Sequence, residues 1–309
     1  QYTIDAILSE ETEIGRLLKA YSPELAENVA AIIGGTFRPM ALAQLVSSQL
    51  DVDRMDYLLR DSLMTGAKYG VFDVEWIIKS IEVDEDQDRL YVSARGLYAV
   101  EGYLQARYYM YRQVYYHRAL RAAESVLHSL LRRALFLFRK GMDVWYARGT
   151  AFEKVLNGEV LDIADHLEID DTDIVFHIKR WQSSADPILS DLSKRFLHRR
   201  LFKAFDLDMP ESDRDEFLRK GAKIVEEKRF DPEYYFIDDN GGNAPYYFYT
   251  HNADDPKNLI FVEEGFSRPV IREISEISAA VRGLQKGYLI HRVCFPAEVK
   301  HEISRLYHE

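Results

Sequence analysis

The longest helical signal in the chain runs from residue 96 to residue 140, with no proline and, beyond Gly102, no glycine to break it. A run of that length fixes a helical scaffold, so the expected fold class is mainly α. Its first half, YLQARYYMYRQVYYHRAL, is crowded with tyrosine and arginine. At helical spacing Arg107, Tyr111 and Tyr115 share one stripe, and Tyr108, Arg112 and Tyr116 share the next. Tyrosines so placed are ordinarily core residues with a bonded hydroxyl. The arginines are harder to place in a core, because a buried guanidinium requires an anionic partner.

Around this run the remaining elements fall into order. Residues 1–33 read as two helices broken at Ser22-Pro23, with Ser22 as N-cap and Pro23 at the first helical position. Gly34-Gly35 closes the second, and a helix over 41–46 follows. Between Ile81 and Ser93 the period changes to two, IEVDEDQDRLYVS, which predicts a β-hairpin with an acidic tip. Residues 141–205 are again helical, with Asp170 to Asp173 capping a helix that carries Ile174, Ile178 and Trp181. After Met209-Pro210 strand-like runs at 234–237, 246–249, 259–262 and 288–295 alternate with helices at 211–228, 273–284 and 297–307. The expected organisation is an all-helical unit with a small hairpin over 1–205, followed by a smaller α+β unit over 206–309. Gly241-Gly242 reads as a hairpin turn, since it lacks the lysine and helix of a phosphate loop.

The net charge of −11 argues against general binding to nucleic acid or anionic membrane, so a nucleotide would need a local basic pocket. A single cysteine, Cys294, excludes an internal disulfide and a cysteine-built zinc site, and suits the cytoplasm. No apolar run is long enough to span a bilayer as a helix.

The stretch with the most chemistry is Ser47–Ser62, SSQLDVDRMDYLLRDS. As an amphipathic helix it puts Asp53, Asp56, Tyr57, Arg60 and Asp61 along one side and Met55, Leu58 and Leu59 on the other. Asp56 and Arg60, four apart, read as a surface ion pair, and Asp51 as a residue of the helix start. Carboxylate, guanidinium, phenol and carboxylate in this order are what a metal-bound phosphate ester with a sugar hydroxyl needs.

Asp-x-Asp-Arg-Met-Asp-Tyr-Leu-Leu-Arg-Asp-Ser resembles the last metal-ligand motif of HD-domain deoxynucleoside triphosphate triphosphohydrolases, the family of the dGTPase-like proteins. The resemblance covers at least residues 1–205. It implies that Asp53 closes the metal site, that Arg54 reaches the substrate phosphates, and that Tyr57 and Asp61 hold the sugar and its 3′-hydroxyl. On the matching long helix it implies Arg107 as phosphate ligand, with Tyr115 and Tyr116 lining sugar and base. It assigns no role to His117 and Arg118. HD sites take a first histidine and an adjacent His-Asp pair. This chain has no His-Asp dipeptide, and its nine histidines all follow the motif, from His117 to His308. The expectation is that these ligands and the catalytic histidines lie upstream of Gln1.

By this resemblance the expected activity is metal-dependent hydrolysis of a deoxynucleoside triphosphate (dNTP) to deoxynucleoside and tripolyphosphate. The divalent metal is not fixed among Mg, Mn, Fe, Ni and Zn. The expected assembly is a homo-oligomer, a tetramer by resemblance, with nucleotide effectors at subunit interfaces. The basic run Lys194, Arg195, Arg199, Arg200 and Lys203 reads either as a solvated helix face or as such an interface anion site. Two rivals stand: an HD phosphohydrolase acting on another nucleotide, and a non-catalytic nucleotide-binding assembly protein.

Overall fold

Side-chain caps set where the helices of this chain begin, and several of them interrupt runs that periodicity alone would join. The computed structural model describes residues 1–240, 259–265, 270–284 and 290–308. Three helices, not two, occupy the start: α1 (Tyr2–Leu8), α2 (Glu13–Tyr21) and α3 (Leu25–Ile33). The unexpected break is made by Thr12, whose hydroxyl accepts from the Gly15 amide and so caps α2. Gly15 is pressed against the preceding turn, where a Cβ would collide with the Ser9 carbonyl oxygen. The helix after Ser22-Pro23 starts later than expected, behind Glu24. Then come α4 (Met40–Val46), α5 (Val52–Thr65), α6 (Val74–Ile78), β1 (Ile81–Asp84), β2 (Arg89–Val92) and α7 (Leu97–Met110). The β1–β2 hairpin forms as expected. Its acidic tip is put to structural use, since the Asp88 carboxylate accepts from the Met40 and Ala41 amides and caps α4 from outside. Those bonds hold the Asp88 carboxyl below its usual range.

Residues 96–140 are not one helix. α7 ends at Met110, Tyr111–Tyr115 form a π turn, and α8 (Arg118–Arg139) starts afresh behind His117, whose Nδ1 accepts from the Ala119 amide. Periodicity gave no warning because neither proline nor glycine makes this break. Tyrosines and Val114, which lose rotamer freedom in a helix, crowd the junction, and a histidine serves as cap.

Downstream lie α9 (Ala151–Asn157), α10 (Ile163–Glu168), α11 (Asp171–Trp181), α12 (Pro187–Leu197), β3 (Lys203–Asp206), α13 (Glu211–Glu227), α14 (Pro232–Tyr235) and β4 (Ile237–Asn240). The capping box of α11, Asp170 with Asp173, is as expected. Tyr234 and Tyr235 form a helical turn rather than a strand, because Asp231 caps it and Pro232 starts it. The chain continues through β5 (Phe261–Glu264), β6 (Val270–Glu273), α15 (Ile274–Ile277), α16 (Ala279–Leu284), β7 (His291–Phe295) and α17 (Lys300–His308). The strand expected over 246–249 and the Gly241-Gly242 turn lie outside the described residues.

The fold is mainly α with an α+β C-terminal part, as expected. The packing nevertheless divides at places other than 205/206. One unit joins Gln1–Tyr115 to Asn243–Tyr288, and the other joins Tyr116–Gly242 to Leu289–Glu309. The reason is strand pairing: a lone hairpin leaves an open edge, and the C-terminal strands supply partners in each unit. In the first unit β5 and β6 extend the hairpin to the order β1-β2-β5-β6. Its core is built on Leu58, Ile77, Tyr103, Leu104 and Met110. In the second unit β7 pairs antiparallel with both β3 and β4. That core centres on Leu130, Ile178, Trp181, Leu189 and Phe295.

His177 in the second core offers a pH test. Its Nδ1–H donates to the Asp173 carbonyl at 2.7 Å, and its Nε2 accepts from the Ala147 amide at 3.1 Å, which requires the neutral imidazole. Burial holds its pKa below the ordinary histidine value. The unfolded chain therefore takes up this proton first as pH falls, and stability should decline below about pH 6.5, by at most ~1.4 kcal/mol per pH unit. Urea midpoints from pH 8 to 5 should fall more steeply for the wild type than for His177→Phe. Parallel curves would remove His177 as the cause.

Candidate functional site

α5 begins at Asp51, a buried N-cap whose carboxylate accepts from the Arg54 and Ser48 amides. Arg54 folds back onto that carboxylate and also donates from Nη1 to the Ser48 carbonyl. Its side chain remains 30% exposed. Asp53, in the exposed first turn, makes no hydrogen bond or ion pair among the described residues. Asp56 and Arg60 form the expected surface pair at 3.0 Å.

Two and three turns further along, α5 meets the π turn. The Tyr115 hydroxyl donates to Asp61 Oδ2 at 2.7 Å. Its ring packs edge-on against Tyr111, centroids 4.9 Å apart, and against Tyr57 at 6.3 Å. The hydroxyls of Tyr57 and Tyr111 face each other at 3.5 Å, the outer limit of a hydrogen bond. Burial first, and then the bond to the Asp61 carboxylate, raises the Tyr115 pKa. Burial and Tyr111 raise that of Tyr57. Both therefore act as neutral donors near neutral pH. Arg107 is 5% exposed, with its guanidinium carbon 6.0 Å from the Tyr111 ring centre and its Nη1 donating to Gln49 Oε1 at 2.8 Å. The fold thus brings Tyr57, Asp61, Arg107 and Tyr115 together, residues far apart in sequence.

The π turn matters to this arrangement. An i→i+5 turn inserts one extra residue into a helix and re-aims the side chains around it, a device frequent at functional sites. Tyr111 is the member that the sequence reading left among ordinary core tyrosines, although it lay on the stripe of Arg107 and Tyr115. Gln49 gave no signal, because its partner lies 58 residues away.

Tyr116 belongs to the second unit, where its ring lies 5.7 Å from the Arg121 guanidinium carbon and its carbonyl accepts from Arg292. His117 caps α8, and Arg118 pairs with Asp206 at 2.7 Å. The basic run does not share one helix face: α12 ends at Leu197, before Arg199 and Arg200, and Lys203 lies on β3. Arg195 is buried and paired with both Asp191 and Glu298. Among the described residues no group of three or more His, Cys, Asp or Glu side chains is placed to hold a metal ion. The same residues contain no helix long and apolar enough to cross a membrane.

Comparison with known proteins bears on the π turn directly. The family model described as "HD associated region" matches residues 72–141, which hold Arg107 and the whole π turn. An uncharacterized protein of Bacillus subtilis, YwfO, is 33% identical across 95% of this chain and 66% of its own length. An uncharacterized protein of Methanocaldococcus jannaschii is 30% identical over 53% of this chain and 32% of its own. The chain thus spans less than two thirds of either relative. Among solved structures, a phosphohydrolase of Bacteroides thetaiotaomicron shares the fold with a TM-score of 0.71 and 27% identity, covering 95% of this chain and 74% of that one. A hypothetical protein of Aquifex aeolicus shows the same fold at a TM-score of 0.66 and 23% identity, over 97% of this chain and 69% of its own.

Proposed function

We propose that this chain is part of an HD-type phosphohydrolase that converts deoxynucleoside triphosphates to deoxynucleoside and tripolyphosphate. The observation that carries the reading is the cluster of Asp61, Tyr57, Tyr111 and Tyr115 beside the buried guanidinium of Arg107. The HD associated region and the phosphohydrolase of like fold support the reaction class. The substrate is this proposal's own step.

In this reading the carboxylate of Asp61 and the phenol of Tyr57 hold the 3′-hydroxyl of the sugar. The Tyr115 ring, fixed by its bond to Asp61, packs where a 2′-hydroxyl would project and so selects the deoxy sugar. Arg107 neutralises charge on the triphosphate. Arg54 joins it through the guanidinium nitrogens that Asp51 and Ser48 leave open. Holding both ends of the substrate aligns the α-phosphate for in-line attack. Asp53, an exposed carboxylate whose side chain makes no hydrogen bond or ion pair among the described residues, fits one ligand position of a divalent ion. The described residues do not complete the set, so the proposal takes the other ligands from outside them. A bound ion would supply polarisation of the phosphate and a water of lowered pKa.

Equilibrium titration of the full-length protein with dATP and with ATP tests the reading. Tighter binding of dATP is expected, and equal affinity for the two sugars would contradict it.

A further inference from the structure

A side chain that excludes a hydroxyl by bulk does so only as firmly as it is itself held, because a ring that yields makes room for the intruder. Tyr115 is held at one end, where its hydroxyl donates to Asp61 Oδ2 at 2.7 Å. One hydrogen bond fixes that oxygen but leaves the ring able to tilt about it. Packing along the flanks of the ring limits the tilt.

Two rings flank Tyr115. Tyr57 stands off at 6.3 Å between centroids, whereas Tyr111 makes a close edge-on contact at 4.9 Å and 71°. Tyr111 opens the π turn that Tyr115 closes, so one short piece of backbone carries both rings. The residue before it, Met110, is fully buried and anchors that backbone in the core of the first unit. On its other side the Tyr111 ring lies 6.0 Å from the Arg107 guanidinium carbon. None of the five π-turn residues is itself buried, so a smaller side chain at Tyr111 opens no deep cavity.

We infer that Tyr111 is a positioning residue that sets sugar specificity: its ring braces Tyr115 from the side and keeps it from yielding to a ribose 2′-hydroxyl. The inference rests on the proposed role of Tyr115 against that hydroxyl. It assigns the work to the Tyr111 ring rather than to its hydroxyl, whose 3.5 Å contact with Tyr57 is too long to contribute much. Phenylalanine would keep the brace. Leucine would fill less of the space beside Tyr115 and present no aromatic edge, so the Tyr115 ring could swing aside.

The test compares the full-length wild type with Tyr111→Leu and Tyr111→Phe, measuring affinity for dATP and for ATP by calorimetry and thermal midpoints in parallel. Tyr111→Leu should bind ATP about tenfold more tightly than the wild type does, with no gain for dATP. A general loss of packing does not tighten the binding of one sugar alone, so that gain separates this role from a merely structural one. Tyr111→Phe should keep the wild-type ratio of the two affinities. Where Tyr111→Leu does not fold, Tyr111→His, with its smaller ring, takes its place with the same expectation. A wild-type ratio in the leucine or histidine variant, with the wild type itself preferring dATP, would overturn the role of Tyr111 alone. Tyr111→Phe relaxing the ratio as far as Tyr111→Leu would overturn the assignment to the ring. Equal affinity of the wild type for the two sugars would remove the reading of Tyr115 and this inference with it.

Discussion

Asp53→Ala should lower metal-dependent turnover about a thousandfold or more while leaving the protein folded, because in the proposed site it removes a metal ligand, which forfeits several kcal/mol of charge stabilisation at the phosphate. The separation of function from folding comes from the two aspartates at the start of α5. Asp51 is buried and caps the helix, and it also holds Arg54. Asp53 is exposed and its side chain makes no hydrogen bond or ion pair among the described residues, so its removal costs mainly its share of the helix dipole, roughly 0.3–1 kcal/mol, beside a solvent-screened attraction to Arg60. Activity assays with added Mn²⁺, beside a urea melt of the same preparation, read both quantities. Full activity in Asp53→Ala would show that this carboxylate serves no metal.

Arg107→Ala should act on a different constant. A guanidinium contributing about two charge-assisted bonds to a phosphate chain is worth about 3 kcal/mol, so KM should rise about a hundredfold. On the proposed reading the substitution leaves the metal-binding end of the substrate untouched, and kcat should change by only a few-fold, on the order of 1 kcal/mol or less. Steady-state kinetics on dATP separate the two constants. A large fall in kcat at unchanged KM would place Arg107 in the chemical step rather than in binding.

How much of this was legible in the sequence follows from the range of the interactions. The α5 motif, the β1–β2 hairpin and the α11 capping box rest on contacts within a few residues, and spacing revealed them. The stripe of Arg107, Tyr111 and Tyr115 was also visible, because a π turn displaces a helical pattern by only one residue. The Thr12 and His117 breaks were not, since a side chain that caps a helix in one context is an ordinary helical residue in another. Least legible were the long-range bonds. Nothing near Gln49 announces Arg107, nothing near Asp88 announces α4, and the C-terminal strands give no sign that they return to two different sheets. Those depend on tertiary pairing, which periodicity does not encode.

The central claim, that the cluster around Asp61 and Arg107 serves cleavage of a deoxynucleoside triphosphate at its α-phosphate, meets its most direct test in the products. The full-length protein, incubated with each dNTP and either Mn²⁺ or Mg²⁺ and resolved by ion exchange, should yield deoxynucleoside and intact tripolyphosphate. Deoxynucleoside monophosphate with pyrophosphate, deoxynucleoside diphosphate with phosphate, or no turnover of any dNTP would contradict it.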